Sequence, residues 1–137
     1  IRLVDENVIH NSVTFTGTVI GDEKAELFRI SEVFVSSSYL ESFGMAIAEA
    51  MAYGLPVSIT DRVNIKAEIN SSHAGLISSC DPVSISNNLI YLLENKYEAK
   101  QMGLRGKILV AEKFEMSVVV KKMEELYLRI ANDNVLV

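Results

Sequence analysis

The sequence predicts an α/β fold, a parallel sheet flanked by helices, on three observations. Short β-branched runs alternate with helical stretches, the pattern of parallel strands joined by crossover helices. Glycine, proline and an Asp-Pro pair stand at the junctions. Finally, 137 residues with 49% hydrophobic content hold enough apolar material for one ordinary core, which excludes disorder and coiled coil.

The elements follow in order. Val13-Thr-Phe-Thr-Gly-Thr-Val19 reads as the first strand. Asp22 is placed to cap a helix through about Ile30 that turns Leu27, Phe28 and Ile30 inward. Val33-Phe-Val35 is the second strand, and Ser36 to Phe43 its exit loop. From Gly44 onward, Met-Ala-Ile-Ala-Glu-Ala-Met-Ala-Tyr forms a helix whose small residues allow close packing on a sheet. Gly54 stops it by supplying the left-handed C′ conformation, and Pro56 prevents continuation. Leu55 to Thr60 is the third strand. A loop and short helix, about 64–71, lead to Gly75-Leu-Ile-Ser78, the fourth. Asp81-Pro82 then opens a helix with a capping carboxylate and proline at N1, burying Ile85, Leu89, Leu92 and Leu93. Two further helices are predicted at about 97–113 and 117–131, the last carrying Val119, Met123, Leu126, Tyr127 and Ile130 on one side.

Charge and composition narrow the function classes. A net charge of −5 argues against a nucleic-acid partner, because phosphate-backbone affinity needs a concentrated excess of Lys and Arg. Residues 1–95 carry twelve acids against five bases, and residues 96–137 six against eight, so the C-terminal segment is mildly basic. A solvated helix face accounts for that, and a partner domain or a peripheral membrane surface is compatible with it. The chain shows no signal leader and no apolar run near twenty residues. With one cysteine and two histidines, neither an internal disulfide nor zinc-ligand spacing is available, and a reducing cytoplasm is expected. His73 reads as an exposed helix-end residue, His10 as near a ragged terminus and Cys80 as an incidental thiol. Met51, Met102, Met116 and Met123 fit helix cores.

In open parallel sheets, ligands sit outside the carboxyl ends of the strands. The loop after Val35 runs Ser-Ser-Ser-Tyr-Leu-Glu-Ser-Phe-Gly directly into a helix N-terminus, where unpaired N–H groups and the helix dipole favour an anion. Gly44 lets a phosphate approach the backbone, and Gly17 leaves room at the end of the first strand. Glu41 and Glu49 flank this turn, eight residues apart. Thirteen glutamates give on the order of one such pair by chance, and two solvated carboxylates would be the bland account. Glu49, however, lies among Ala46, Ile47, Ala48, Ala50, Met51 and Ala52, where a carboxylate needs a partner.

Glu41-Ser-Phe-Gly-Met-Ala-Ile-Ala-Glu49, running on to Val57, resembles the E-x7-E signature of retaining glycosyltransferases of the GT-B fold, the glycosyl transferases group 1. Val13-x-Phe-x-Gly17, Ser38, Thr60-Asp61, Glu68, Gly75-Leu-Ile, Met102-Gly103 and Phe114 agree with that family's C-terminal domain in order, over nearly the whole chain. The resemblance implies that residues 1–137 are a partial Rossmann-like, nucleotide-sugar-binding domain, the C-terminal half of a GT-B fold. A missing N-terminal domain would supply most of the site for a carbohydrate or lipid-linked acceptor. It implies Glu49 on the ribose hydroxyls, Glu41 beside the donor sugar as the catalytic carboxylate, either orienting the sugar and favouring positive charge on its ring or attacking as a covalent nucleophile, the backbone N–H groups of Phe43, Gly44 and Met45 on the sugar or diphosphate, and no cofactor. The family's Arg and Lys that neutralise the diphosphate lie upstream of the strand matched by Val13 to Val19, where Ile1 begins too late to include them; Arg2 and Lys24 are not in the matching positions. Asp61-Arg-Val-Asn-Ile-Lys66 replaces a glycine pair common in relatives and is expected to be a simple connecting loop. The implied reaction is sugar transfer from a nucleoside diphosphate to a hydroxyl with retention, the chain alone being inactive. A non-catalytic nucleotide-binding module and a sugar-nucleotide epimerase on the same fold are the competing readings.

Overall fold

Val57–Thr60 (β2) is buried at all four residues, as a strand covered on both faces must be. In the computed structural model, which describes residues 9–133, β2 is the middle of a parallel sheet ordered β1-β2-β3, with β1 at Phe34–Ser36 and β3 at Gly75–Ser78. Phe34 pairs with Val57, and Val57 in turn with Gly75. Around the sheet lie α1 (Gly21–Ile30), α2 (Met45–Ala52), α3 (Lys66–Ser71), α4 (Pro82–Glu94), α5 (Lys96–Leu109) and α6 (Met116–Asp133). A short 3-10 turn occupies His10–Ser12, and a π-helical turn, Val110–Phe114, extends α5.

Side-chain alternation divides the core in two. Val57 and Ile59 join Ile47, Ala50 and Met51 of α2, Val63, Ile65, Ile69 of α3, Phe28 and Leu109 in the main cluster. On a separate cluster, Leu76 of β3 and Val33 pack against Leu92, Ala99 and Met102 of α4 and α5. Helices thus cover both faces, which defines the Rossmann-like α/β class expected from the sequence.

Punctuation residues act as read. Gly54 has φ +81, its N–H donates to Met51 O (2.9 Å), and Leu55 N–H donates to Ala50 O (3.1 Å), a Schellman closure of α2. Asp81 caps α4 by accepting from Ser84 N–H at 2.9 Å, with Pro82 at N1. The Ser79 hydroxyl, followed by Ser84 N–H, holds the Asp81 carboxyl down at about 2, below its ordinary value of 3.8.

Other expectations are corrected. Residues 13–19 form no strand: no ladder pairs them with any described residue, and Phe15 is 62% exposed, so their β-branched side chains have no pleated neighbour to pack on. Asp22 does not cap α1; the cap position is Ile20, without a side-chain bond, and Asp22 sits in the first turn, where its charge complements the dipole. The second strand is shifted by one residue, and the third begins at Val57, because Leu55 belongs to the Schellman turn. Phe28 is buried, but Ile30, two residues on and turned about 200° from it, is exposed, and Leu93, one residue past buried Leu92, is turned about 100° away and is exposed too. Met51 and Met102 are core residues, whereas Met116 and Met123 are exposed. They lie on α6, whose apolar stripe of Val119, Met123, Leu126, Tyr127 and Ile130 forms one face as expected and stays open to solvent. Among the described residues no helix is long and apolar enough to cross a membrane.

Candidate functional site

The loop leaving β1 is tied to the carboxyl ends of the other two strands. Ser38 O accepts from Thr60 Oγ1 at 2.6 Å and lies 3.9 Å from Cys80 Sγ. Glu41 is then fixed through its backbone: its N–H donates to Arg62 O (3.2 Å), its C=O accepts from Asn64 N–H (3.1 Å), and the two segments form a parallel bridge at Val63. The 61–66 segment is therefore more than a connector, since Val63 and Ile65 anchor it in the core while it grips Glu41. Lys66 Nζ closes the turn on Asp61 O.

From Glu41 the chain turns into α2 through Gly44, at φ +84 and ψ +63. A Cβ there would fall 2.6 Å from Ile47 Cδ1 and 3.3 Å from Glu41 Cγ, so both conformation and space require glycine. Glu41 Oε1 accepts from Gly44 N–H at 3.2 Å. Ile47 and Ala48 N–H both donate to Gly44 O, at 2.9 and 3.1 Å, which leaves the N–H groups of Met45 and Ala46 without an intrahelical acceptor at the start of α2. The Phe43 ring meets Phe114 edge-on, centroids 5.2 Å apart, joining the loop to the end of the α5 extension.

Glu49 lies just over one turn into α2, and the partner its apolar surroundings demand is Lys24 of α1, whose Nζ is 2.9 Å from both carboxylate oxygens. The pair belongs to a two-rung contact between helices. Lys24 and Phe28 are four residues apart on α1, as are Glu49 on α2 and Tyr53 at its C-cap, and the Phe28 and Tyr53 rings are 5.3 Å apart.

Of the sequence-predicted site residues, Glu41, Phe43, Gly44, Met45 and Glu49 thus fall on one loop-helix unit. The Gly44 N–H, expected to meet a ligand, is engaged by Glu41 here. Gly17 lies in the irregular 13–20 segment, exposed, with nothing within 4 Å of where a Cβ would sit. A cavity of about 410 Å³ opens beside the unit between Ser37, Tyr39, Cys80, Asp81, Ile85 and Leu89, and none of the predicted residues lines it. His73 is exposed at the end of α3, as read; Arg2 and the His10 side chain lie outside the described residues. Among the described residues no three His, Cys, Asp or Glu side chains converge as a metal site. Sequence reasoning missed Lys24 as the partner of Glu49. The available signal was its place one turn before Phe28, on the inward face of α1, where a lysine needs a carboxylate.

A parallel sheet with a glycine-initiated helix N-terminus at its carboxyl edge defines a Rossmann-like domain. The chain belongs to the glycosyl transferases group 1, whose family model matches residues 1–108. It is 30% identical over 135 residues to an N-acetyl-alpha-D-glucosaminyl L-malate synthase of Bacillus anthracis, covering 98% of this chain and 35% of that protein. It is 33% identical over 104 residues to a trehalose synthase of Pyrococcus horikoshii, covering 76% of this chain and 24% of that one. The sucrose-phosphate synthase structure from Thermosynechococcus elongatus superposes with a TM-score of 0.86 at 26% identity, over 96% of this chain and 33% of that chain. The fold is accordingly that of the C-terminal half of a GT-B glycosyltransferase, and the chain spans about a third or less of the length of these relatives.

Proposed function

We propose that this chain binds the nucleoside-diphosphate-sugar donor for retaining transfer of the sugar to an acceptor hydroxyl. The observation that carries the reading is the unit Glu41–Gly44–Glu49: one carboxylate in the loop before a glycine-initiated helix N-terminus and a second one turn into that helix, at the carboxyl edge of the sheet. The names of the relatives, synthases of a glucosaminyl malate and of sucrose phosphate, support a sugar-transferring whole.

In this reading the α2 N-terminus, with the N–H groups of Phe43 and Met45 and that of Gly44 once Glu41 releases it, holds the diphosphate or sugar and stabilises the charge that builds on the leaving phosphate. Glu49 accepts hydrogen bonds from the ribose diol, for which an ionised carboxylate has the geometry. Glu41 lies beside the donor sugar, orients it and favours positive charge developing on its ring. Gly17 borders the nucleotide. No cofactor takes part. The acceptor, a carbohydrate or lipid-linked molecule, is held mainly by parts of the enzyme outside this chain, and the chain alone transfers no sugar.

The test separates the two glutamates in the full-length protein. Glu49→Ala should weaken binding of free nucleoside diphosphate and nucleotide sugar alike, by roughly 1.5–3 kcal/mol, the range for a lost charged hydrogen bond. Glu41→Ala should spare the free nucleotide, erase the extra affinity due to the sugar and reduce turnover. Titration calorimetry with both ligands reads the difference. Loss of free-nucleotide binding in Glu41→Ala but not in Glu49→Ala would reverse the two roles, and no change in either would place the site elsewhere.

A further inference from the structure

The directions of the N–H groups at a helix entrance follow the backbone angles of the turn that leads into it, so a ligand site there is only as well ordered as that turn. In the turn before α2, Glu41 is held by backbone bonds to Arg62 and Asn64, and Gly44 by its left-handed conformation against Ile47. Between them Ser42 is exposed, and the N–H of Phe43, unlike that of Gly44, meets no acceptor among the described residues. What fixes the middle of the turn is the Phe43 ring.

That ring rests on Phe114, centroids 5.2 Å apart and planes at 87°, the edge-on arrangement aromatic rings favour. Both rings are half-buried at the margin of the main cluster. From Ala111 to Ser117, Phe114 is the one residue that is not exposed, so its ring is the inward anchor of that whole segment. The segment itself is held from the other end of α2. Gly103 leaves room for the backbone oxygen of Gly54, and Gly106 for the Met51 side chain, so α5 lies along α2 from its C-terminal turn toward its entrance. The π-helical turn, closed by Glu115 N–H on Val110 O at 2.9 Å, then delivers Phe114 to Phe43.

We propose that Phe114 is a positioning residue for the donor: through its ring contact with Phe43 it fixes the turn entering α2, and with it the direction of the N–H groups of Phe43 and Met45. This rests on the assignment of that helix entrance to the diphosphate or sugar. Phe114 acts through Phe43 and touches no part of the ligand.

The experiment uses the full-length protein with Phe114→Leu, Phe43→Leu, the Phe43→Leu/Phe114→Leu double variant and Leu92→Ala. Each is titrated calorimetrically with UDP, GDP and ADP and melted without ligand. Phe114→Met, close to phenylalanine in volume, guards against a leucine variant that fails to fold and should shift affinity in the same direction. Phe114→Leu should lose about two- to ten-fold in affinity for whichever nucleotide the unmodified protein binds, the range over which one aromatic pair can bias a turn. Phe43→Leu should lose at least as much, and the double variant no more than Phe43→Leu alone, because the two rings act as a unit. Leu92→Ala truncates the separate cluster on the other face of the sheet and should lower the unfolding midpoint at least as far as Phe114→Leu, with affinity unchanged. Unchanged or tighter binding by Phe114→Leu, with Phe43→Leu impaired, overturns the positioning role and leaves the donor assignment standing. Additive losses in the double variant overturn it too, because Phe114 would then act by a route other than Phe43. An equal loss in Leu92→Ala does the same, since affinity would merely follow stability. If Phe43→Leu binds as well as the unmodified protein, or none of the three nucleotides binds, the assignment of the helix entrance to the donor fails and the role of Phe114 with it.

Discussion

Gly44 and Gly54 bracket α2 with nearly the same backbone, φ +84 and φ +81, and they differ in the space beside the Cα. Around Gly54 nothing lies within 4 Å of a built Cβ, whereas at Gly44 the Cβ would meet Ile47 Cδ1 at 2.6 Å and Cγ1 at 3.2 Å. Gly54→Ala should therefore carry only the left-handed penalty, about 1–2 kcal/mol. Gly44→Ala adds an overlap with the Ile47 side chain, which is 1% exposed and packed in the main core cluster. Overpacking of that kind costs about 1–3 kcal/mol, bringing the total to about 2–5 kcal/mol, a large part of an ordinary domain's stability. Urea denaturation of both variants, with unchanged m-values, reads the difference. Calorimetry on the same samples should show Gly44→Ala losing nucleotide affinity, because the shift displaces the first N–H groups of α2, while Gly54→Ala binds normally. Equal destabilisation of the two variants would sink the reasoning, since the conformation alone would then account for the glycine at 44.

Two further outcomes are expected. At Gly103 a Cβ would fall 1.9 Å from Gly54 O, a backbone atom, so Gly103→Ala should destabilise by about 2 kcal/mol even after the helix-propensity gain. Gly106→Ala, facing the flexible Met51 side chain at 3.2 Å, should be near neutral; similar denaturation midpoints for the pair would contradict the close α5 approach. For Asp81, the folded-state value is depressed to about 2 from 3.8, so its contribution is fully present above pH 3.8 and is lost as pH falls through about 2. Asp81→Asn keeps an acceptor for Ser84 N–H but does not titrate, and its stability should decline less steeply between pH 4 and 2 in urea melts; a slope equal to that of the unmodified protein would argue that the cap bond does not depend on the charge.

What was legible in the sequence depended on how local its cause was. Gly54, the Asp81-Pro82 cap and β3 are set by a few neighbouring residues, and they stand where the sequence puts them. The carboxylates and the helix N-terminus of the candidate site were equally local, on one stretch from Glu41 to Glu49. Residues 13–19 show the opposite case, because a β-branched run becomes a strand only beside another strand, and the pattern of the run itself says nothing about that neighbour. The Lys24–Glu49 pair joins residues 25 apart in sequence and depends on how α1 lies on α2, which periodicity does not encode. The α6 stripe was readable as a face, but burial is a property of two surfaces, and the sequence showed one.

The shape of α2 constrains what its two ends can hold. Ile47, Ala48, Ala50 and Met51 are buried, and Met45, Ala46, Glu49, Ala52 and Tyr53 form the remaining face. With α-helical rise, the start of α2 at Met45 and Glu49 are separated along the axis by about 6 Å, roughly the reach from a phosphate to the diol of the ribose that bears it. Glu41, bound to Gly44 N–H and gripped by residues 62–64, precedes that N-terminus in the chain, and Glu49 follows it. If the helix end takes the diphosphate, Glu49 is left with the nucleoside side of the ligand and Glu41 with the sugar side, because a diphosphate has one neighbour at each end. With the diphosphate placed at the helix end as proposed, the order of the two glutamates along α2 and its entry loop supports giving Glu49 the nucleoside side and Glu41 the sugar side.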